Sequence, residues 1–149
     1  MKSVYDISVR EELCARIAHL TETSRPQWGK MNVSQMIKHC ILWNEMALGK
    51  TEYRQVFIGR LFGKMALRSM IKDERPVRRN MGTLPELIVS DSGGDIEFLK
   101  KHWMTTIKDY GHLPNDYKFV HTFFGKVDRQ QTGLLAYKHT DHHLRQFGA

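Results

Sequence analysis

The stretch DRQQTGLLAYKHTDHHLRQF, residues 128–147, combines a helix start signal, helical periodicity and a cluster of histidines. Asp128 and Gln131 have the spacing of a capping box, in which two side chains satisfy free N–H groups of a first helical turn. Apolar residues and histidines then recur at steps of three or four, as on a helix with one inward face. The stretch therefore predicts a helix that begins near Asp128 and ends at about Phe147.

Three further segments show both a capping signal and helical periodicity. A fourth segment, at about 54–71, is amphipathic and predicts an extra helix in the longest connection. The remaining connecting segments do not alternate long enough to predict a β-strand. The three capped segments are predicted helices over about residues 8–21, 32–49 and 92–111, with capping signals at Ser8 and Glu11, Asn32 and Gln35, and Ser92 and Asp95.

Four capped helices with one long crossover predict an all-α fold, a four-helix bundle. The crossover lies between the second and the third of these helices and holds the extra helix. The chain has 149 residues, of which 41% are hydrophobic and 26% are charged, as in ordinary globular proteins. We expect residues 1–149 to form one domain with its own hydrophobic core.

The same composition predicts a cytoplasmic protein that does not enter a membrane. The sequence contains no run of about 18 apolar residues, the length at which a membrane-spanning helix becomes a candidate. Its first residues, MKSVYDISVREEL, lack the apolar region of a secretion signal. Cys14 and Cys40 are too few for a disulfide framework, which fits a reducing compartment.

The histidines of the last predicted helix have the spacing of a metal site. His139 and His143 are four residues apart, so both rings lie on one face of a helix, one turn apart. Helix geometry rotates His142 by about 100° from His143, so His142 is expected to point sideways or to solvent. A pair formed by His139 and His142 remains an alternative.

A third ligand is available on the second predicted helix. His39 shares the apolar stripe of Met36 and Trp43, so we expect its ring to face inward, either as a ligand or as a satisfied core residue. With His139 and His143 it would form a three-nitrogen site that leaves positions open for water or substrate. Trp43 is assigned to the pocket, with a core or interface position as the alternative.

These residues resemble a known family. The stretches WGKMNVSQMIKHCILWNEMALGK around His39 and HTDHHLRQFG at 139–148 are similar to the DinB-like superfamily of metal-binding four-helix bundles, in an uncharacterised branch of unknown function. The resemblance implies metal ligands at His39, His139 and His143. It also implies zinc or nickel as the divalent metal, with iron or manganese as alternatives, and a homodimer.

Two reactions suit a divalent ion on three imidazoles. Such an ion stabilises a thiolate or a hydroxide at an open position, so the site predicts either thiol transfer or hydrolysis of an ester or amide. The resemblance favours a transferase that uses a low-molecular-weight thiol cofactor and a small-molecule substrate. A protein that only binds a metal or a partner, without turnover, is the remaining alternative.

Two further residues are candidates for the surroundings of the site. Gln146 lies three residues after His143 and can orient a ligand or a water on the same side of the helix, or else cap the last carbonyl groups. His121 precedes two aromatic residues in the predicted loop HTFFG. It is expected at the mouth of the pocket, with simple exposure to solvent as the alternative.

A basic segment raises a different function. Most of the net charge of +7 comes from residues 54–79, which contain eight cationic and two acidic side chains. Such a segment can bind nucleic acid phosphates, but no recognised nucleic-acid motif accompanies it. A solvated helix face explains the spacing equally well, and a nucleic-acid partner is therefore not expected. The same charges can attract an anionic small substrate.

Overall fold

The computed structural model describes residues 1–149 and is mostly helical, with one small antiparallel β-hairpin. Single turns of 3-10 helix at Pro85–Leu87 and Tyr110–His112 complete the secondary structure. None of the helices combines the length and the hydrophobicity that a membrane-spanning segment requires. The elements are α1 (Ile7–Ala18), α2 (Val33–Ala47), α3 (Phe57–Ile71), α4 (Ile96–Asp109), β1 (Lys118–His121), β2 (Gly125–Asp128) and α5 (Arg129–Gln146).

The two helices that supply the histidines both begin with the predicted capping boxes. In α2, the Gln35 backbone N–H donates to the Asn32 side chain over 2.8 Å, and the Gln35 side chain accepts from the Asn32 N–H over 3.0 Å. Asp128 and Gln131 make the same pair of hydrogen bonds at the start of α5. These local contacts confirm the predicted starts of both helices.

The predicted starts of the other two capped helices are wrong by a few residues. The capping residue of α1 is Asp6, so Ser8 lies inside the first turn. The capping residue of α4 is Asp95, whose carboxylate accepts from the Phe98 N–H over 3.1 Å. Ser92 lies in the loop before it, where its carbonyl oxygen accepts from the Asn32 side chain. At α4 the side chain of Asp95 forms the cap, whereas at α1 the side chain of Asp6 makes no capping hydrogen bond.

The hairpin corrects the prediction of an all-α fold. Strands β1 and β2 pair with Phe119 opposite Val127, and both side chains are buried. Each strand has four residues, which is too short for alternation to stand out from a loop. Its turn is closed by Gly125, whose φ of 75° lies in the left-handed region that favours glycine.

The core lies between α1, α2, α4 and α5, where α2 and α1 each pack against both α4 and α5. Three of its buried polar side chains hydrogen-bond to one another. The Asn44 amide donates to the Thr106 hydroxyl over 2.9 Å and accepts from the Tyr110 hydroxyl over 3.0 Å. Such pairing removes the cost of burying these groups. The largest fully buried side chains include Trp103, Tyr110, Leu13, Ile17 and Met36.

The extra helix α3 lies in the crossover, as predicted, and packs against α5 and β2. Gly59 and Gly63 allow this close approach, because a Cβ at either position would lie within 2.3 Å of the Phe123 carbonyl oxygen. The contact holds the crossover against the end of the hairpin. Several apolar side chains on the outer face of α3 remain exposed: Phe57, Ile58, Leu61 and Met65.

Candidate metal centre

Three histidines from two helices converge on one point. His39 of α2 and His139 and His143 of α5 each offer one ring nitrogen, and these atoms lie within 4.8 Å of one another. The Nε2 atoms of His39 and His139 are 3.1 Å apart. Two nitrogens bound to one zinc ion at about 2.0–2.1 Å are about 2.9–3.4 Å apart for octahedral to tetrahedral angles. The spacing of this pair therefore fits a shared ion.

Hydrogen bonds on the far side of two rings fix their tautomers. The Nδ1 of His39 lies 2.9 Å from the Leu87 carbonyl oxygen, and a carbonyl can only accept, so this Nδ1 carries the proton. The Nδ1 of His143 lies 2.8 Å from the side-chain oxygen of Gln146. In the neutral rings each Nε2 then carries a lone pair, and that of His39 faces the Nε2 of His139. A lone pair on Nε2 with a proton on Nδ1 is the arrangement of a metal-binding histidine.

Gln146 is itself held in one orientation. Its Nε2 donates to the Trp28 carbonyl oxygen over 2.8 Å, so its amide oxygen must face His143. The side chain is buried. Gln146 therefore bridges a candidate ligand on α5 and the loop before α2.

The third ring is held by packing. His139 stacks on Trp43, with ring centroids 4.6 Å apart and planes 14° from parallel. Its Nδ1 is buried and has no hydrogen-bond partner. Packing against Trp43, rather than a hydrogen bond on Nδ1, therefore sets the plane of this imidazole. Trp43 itself is buried and lines the cavity beside the site.

The surroundings keep all three rings neutral near pH 7. Burial lowers the pKa of His39, and it lowers the pKa of His143 to about 3. The pKa of His139 falls well below its ordinary value because of burial and the neighbouring imidazoles. A neutral imidazole is the form that binds a metal. The group is thus ready for an ion without first losing protons.

The other two candidate histidines lie outside the group. His142 is part-buried, with its ring centroid 5.0 Å from that of His143 and 5.6 Å from that of Trp28. His121 lies at the end of β1, where its Nδ1 accepts from the backbone N–H groups of Phe123 and Phe124 over 3.0 and 3.2 Å. It is buried, so the alternative of a solvent-exposed loop histidine is wrong.

A cavity of about 700 Å³ opens beside the three histidines. The crossover after α3 forms one wall, and α2, α5 and the end of the hairpin form the other. His121 and His142 both line it. Part of the basic segment also faces it, namely Lys72, Arg75 and Arg78, whereas Arg60, Lys64 and Arg68 lie exposed on α3.

Several supporting groups gave little signal in the sequence. The carbonyl groups of Leu87 and Trp28 act through the backbone, so no residue type reveals them. Asp141 is buried and accepts from Arg16 over 2.8 Å and from Arg145 over 2.7 Å. Only the four-residue spacing of Asp141 and Arg145 was visible as a local pattern. The pairing with Arg16 fastens α1 to the end of α5.

One protein family matches almost the entire chain. The family model described as a protein of unknown function (DUF1569) covers residues 3–149. No curated protein and no solved structure shows significant similarity to this sequence. The chain belongs to the DUF1569 family of proteins of unknown function.

Proposed function

We propose that this protein binds a divalent transition metal through His39, His139 and His143 and acts as a metal-dependent transferase that uses a low-molecular-weight thiol. The observation that supports this most directly is the convergence of three neutral imidazoles within 4.8 Å. Zinc and nickel suit imidazole ligands, and iron and manganese are the alternatives. Three protein ligands leave room for a further group, as in catalytic rather than structural zinc sites.

The cavity supports a role in chemistry rather than in folding alone. A metal that only stabilises a fold is usually enclosed by four protein ligands, whereas this group adjoins a space of about 700 Å³. A bound divalent ion would supply a Lewis acid that favours the thiolate form of a thiol at neutral pH. The cavity would hold the electrophilic substrate next to it, away from bulk water.

Thiol transfer would join the thiol sulfur to an electrophilic carbon of the substrate. The sulfur lone pair forms the new C–S bond, the thiol proton is released, and the leaving group departs with its bonding electrons. Hydrolysis with water as the nucleophile is the second candidate, since the same Lewis acid also favours hydroxide. A metal-binding protein without turnover is the third.

We further propose that the fold is a DinB-like four-helix bundle with an added hairpin. The mutual packing of α1, α2, α4 and α5 and the long crossover with α3 support this relationship. A homodimer and a cytoplasmic location are predictions that follow from the resemblance and the composition. Nucleic-acid binding through residues 54–79 stays the weaker alternative.

Metal analysis tests the central proposal. Protein purified without a histidine tag should contain close to one equivalent of a transition metal, or bind one on addition. Less than about a tenth of an equivalent after metal addition would contradict the site. A screen of low-molecular-weight thiols with an electrophile, with and without metal, then tests the transferase activity. Ester and amide substrates without a thiol test the hydrolase.

A further inference from the structure

A buried lysine without a carboxylate partner lines the same cavity. Lys138 of α5 is 8% exposed, and its Nζ donates one hydrogen bond, to the Arg75 carbonyl oxygen over 2.9 Å. It takes part in no ion pair. A buried ammonium group is costly unless an anion and further hydrogen bonds compensate it. Lys138 therefore has donors and charge to offer a ligand.

The other charged groups that line the cavity add to the positive charge of Lys138. The only carboxylate among them is Asp73, which already accepts from Arg75 over 2.9 and 2.7 Å. Lys72 and Arg78 are exposed and make no ion pair. Four cationic side chains less one carboxylate leave a net charge of +3 on the lining while its imidazoles are neutral. A cavity lined by one sign of charge concentrates ligands of the opposite sign.

The rest of the lining is apolar and aromatic. It includes Trp43, Leu84, Leu87 and Phe124. Such walls bind the hydrocarbon part of a ligand, and a few placed polar groups then fix its orientation. The combination fits a molecule with an apolar body and an anionic end.

We propose that the cavity binds an organic oxyanion, a carboxylate or a phosphate attached to an apolar body, with Lys138 as the buried anion-binding group. Lys72 and Arg78 add attraction at the rim. This inference rests on the proposed function, because it names the class of substrate for the same site. Lys138 precedes His139 on α5, so one helix places both the anion-binding group and a candidate metal ligand beside the cavity.

Calorimetric titration of the full chain, stripped of metal with a chelator, tests the proposal. The ligands are 4-phenylbutyrate and phenyl phosphate, with 4-phenylbutanol and 4-phenylbutylamine as matched neutral and cationic controls. At least one anion should bind about tenfold or more tightly than the alcohol, because a hydrogen-bonded charge is worth about that factor. Comparison of the two anions shows whether a carboxylate or a phosphate is preferred. Equal binding of 4-phenylbutanol and both anions would overturn the proposal.

Substitution of the lysine locates the site. Lys138→Met should weaken binding of the preferred anion about tenfold, whereas Lys101→Met, at an exposed lysine of α4 away from the cavity, should not change it. A Lys138→Met protein that folds and binds the anion with unchanged affinity would refute the assignment. Should that variant not fold, the exposed pair Lys72→Gln with Arg78→Gln replaces it, with several-fold weaker binding expected and no change counting against the proposal.

The absence of metal in this titration separates the two proposals. Anion binding to the stripped protein can succeed even if the histidines hold no ion. Conversely, the histidines can hold an ion even if no anion binds, so a failed anion titration would not contradict the metal centre. Lys138→Met should accordingly leave the metal content of the protein unchanged.

Discussion

The three histidines of the metal group and His121 all line the same cavity, yet their nitrogens have different partners. His39 and His143 donate their Nδ1 protons to oxygen atoms, so that Nε2 keeps its lone pair. His121 uses its Nδ1 to accept two backbone N–H groups. In its neutral form the proton of His121 is then on Nε2, and this nitrogen has no lone pair for a metal.

The difference shows that burial next to a cavity does not make a histidine a ligand. Burial lowers the pKa of His121 to about 4 and that of His143 to about 3, so protonation does not distinguish them. The partner of Nδ1 distinguishes the two histidines, because it decides which ring nitrogen keeps its lone pair. An oxygen acceptor beside Nδ1 keeps the lone pair on Nε2, where it can bind a metal. Backbone N–H donors beside Nδ1 place the proton on Nε2, and the ring of His121 then stabilises the hairpin turn.

Removal of a ligand should have the largest effect. We expect His39→Ala to weaken zinc affinity by about a hundredfold or more, since loss of a direct ligand should exceed the 10–100-fold cost of losing its support. His121→Ala should keep the affinity of the unchanged protein. Competition with a chromophoric chelator measures both. Equal losses for the two variants would remove the distinction between them.

Removal of the oxygen acceptor of one ring should have the next largest effect. In Gln146→Leu, the Nδ1 of His143 loses its partner, and zinc affinity should fall about tenfold to a hundredfold. Gln130→Leu is the matched control, because Gln130 is exposed on the same helix. The same competition titration applies. An unchanged affinity in Gln146→Leu would mean that the hydrogen bond does not prepare the ligand.

Acid should destabilise the metal-free protein through the buried rings. The folded-state pKa of His143, about 3, lies below its ordinary value of 6.5, so the unfolded chain binds more protons between these values. Its contribution to stability is complete above about pH 6.5 and is lost as the pH falls towards 3. Thermal unfolding of His143→Leu should therefore depend less on pH in this window. Identical pH profiles for the two proteins would contradict the neutral, buried ring.

The smallest effect is expected at His142, which lies between the two candidate ligands of α5 in the sequence. His142→Ala should change zinc affinity by no more than about twofold, because its ring lies outside the group and supplies no ligand atom. Zinc titration of this variant beside His143→Ala measures the difference. A large loss in His142→Ala would show that the sideways assignment of this ring is mistaken.

Local signals predicted the helices well where one candidate cap was available. Asn32 and Asp128 form the predicted capping boxes because both partners lie within one turn. At α4, Ser92 and Asp95 competed, and contacts of the Ser92 carbonyl with the Asn32 side chain, 60 residues away, hold that serine in the loop. The hairpin was missed because its short strands gain stability from pairing and from packing on the core, not from local preference.

The sequence by itself determined that His139 and His143 share one face of a helix, because the period of the backbone fixes side chains four residues apart. Only the tertiary structure decided that His39, from a helix a hundred residues earlier, meets them. It also decided that the Leu87 carbonyl accepts the Nδ1 proton of His39 and that Lys138 is buried with a backbone carbonyl as its hydrogen-bond acceptor. Spacing within a helix follows from backbone geometry, whereas these contacts depend on how separate elements pack together.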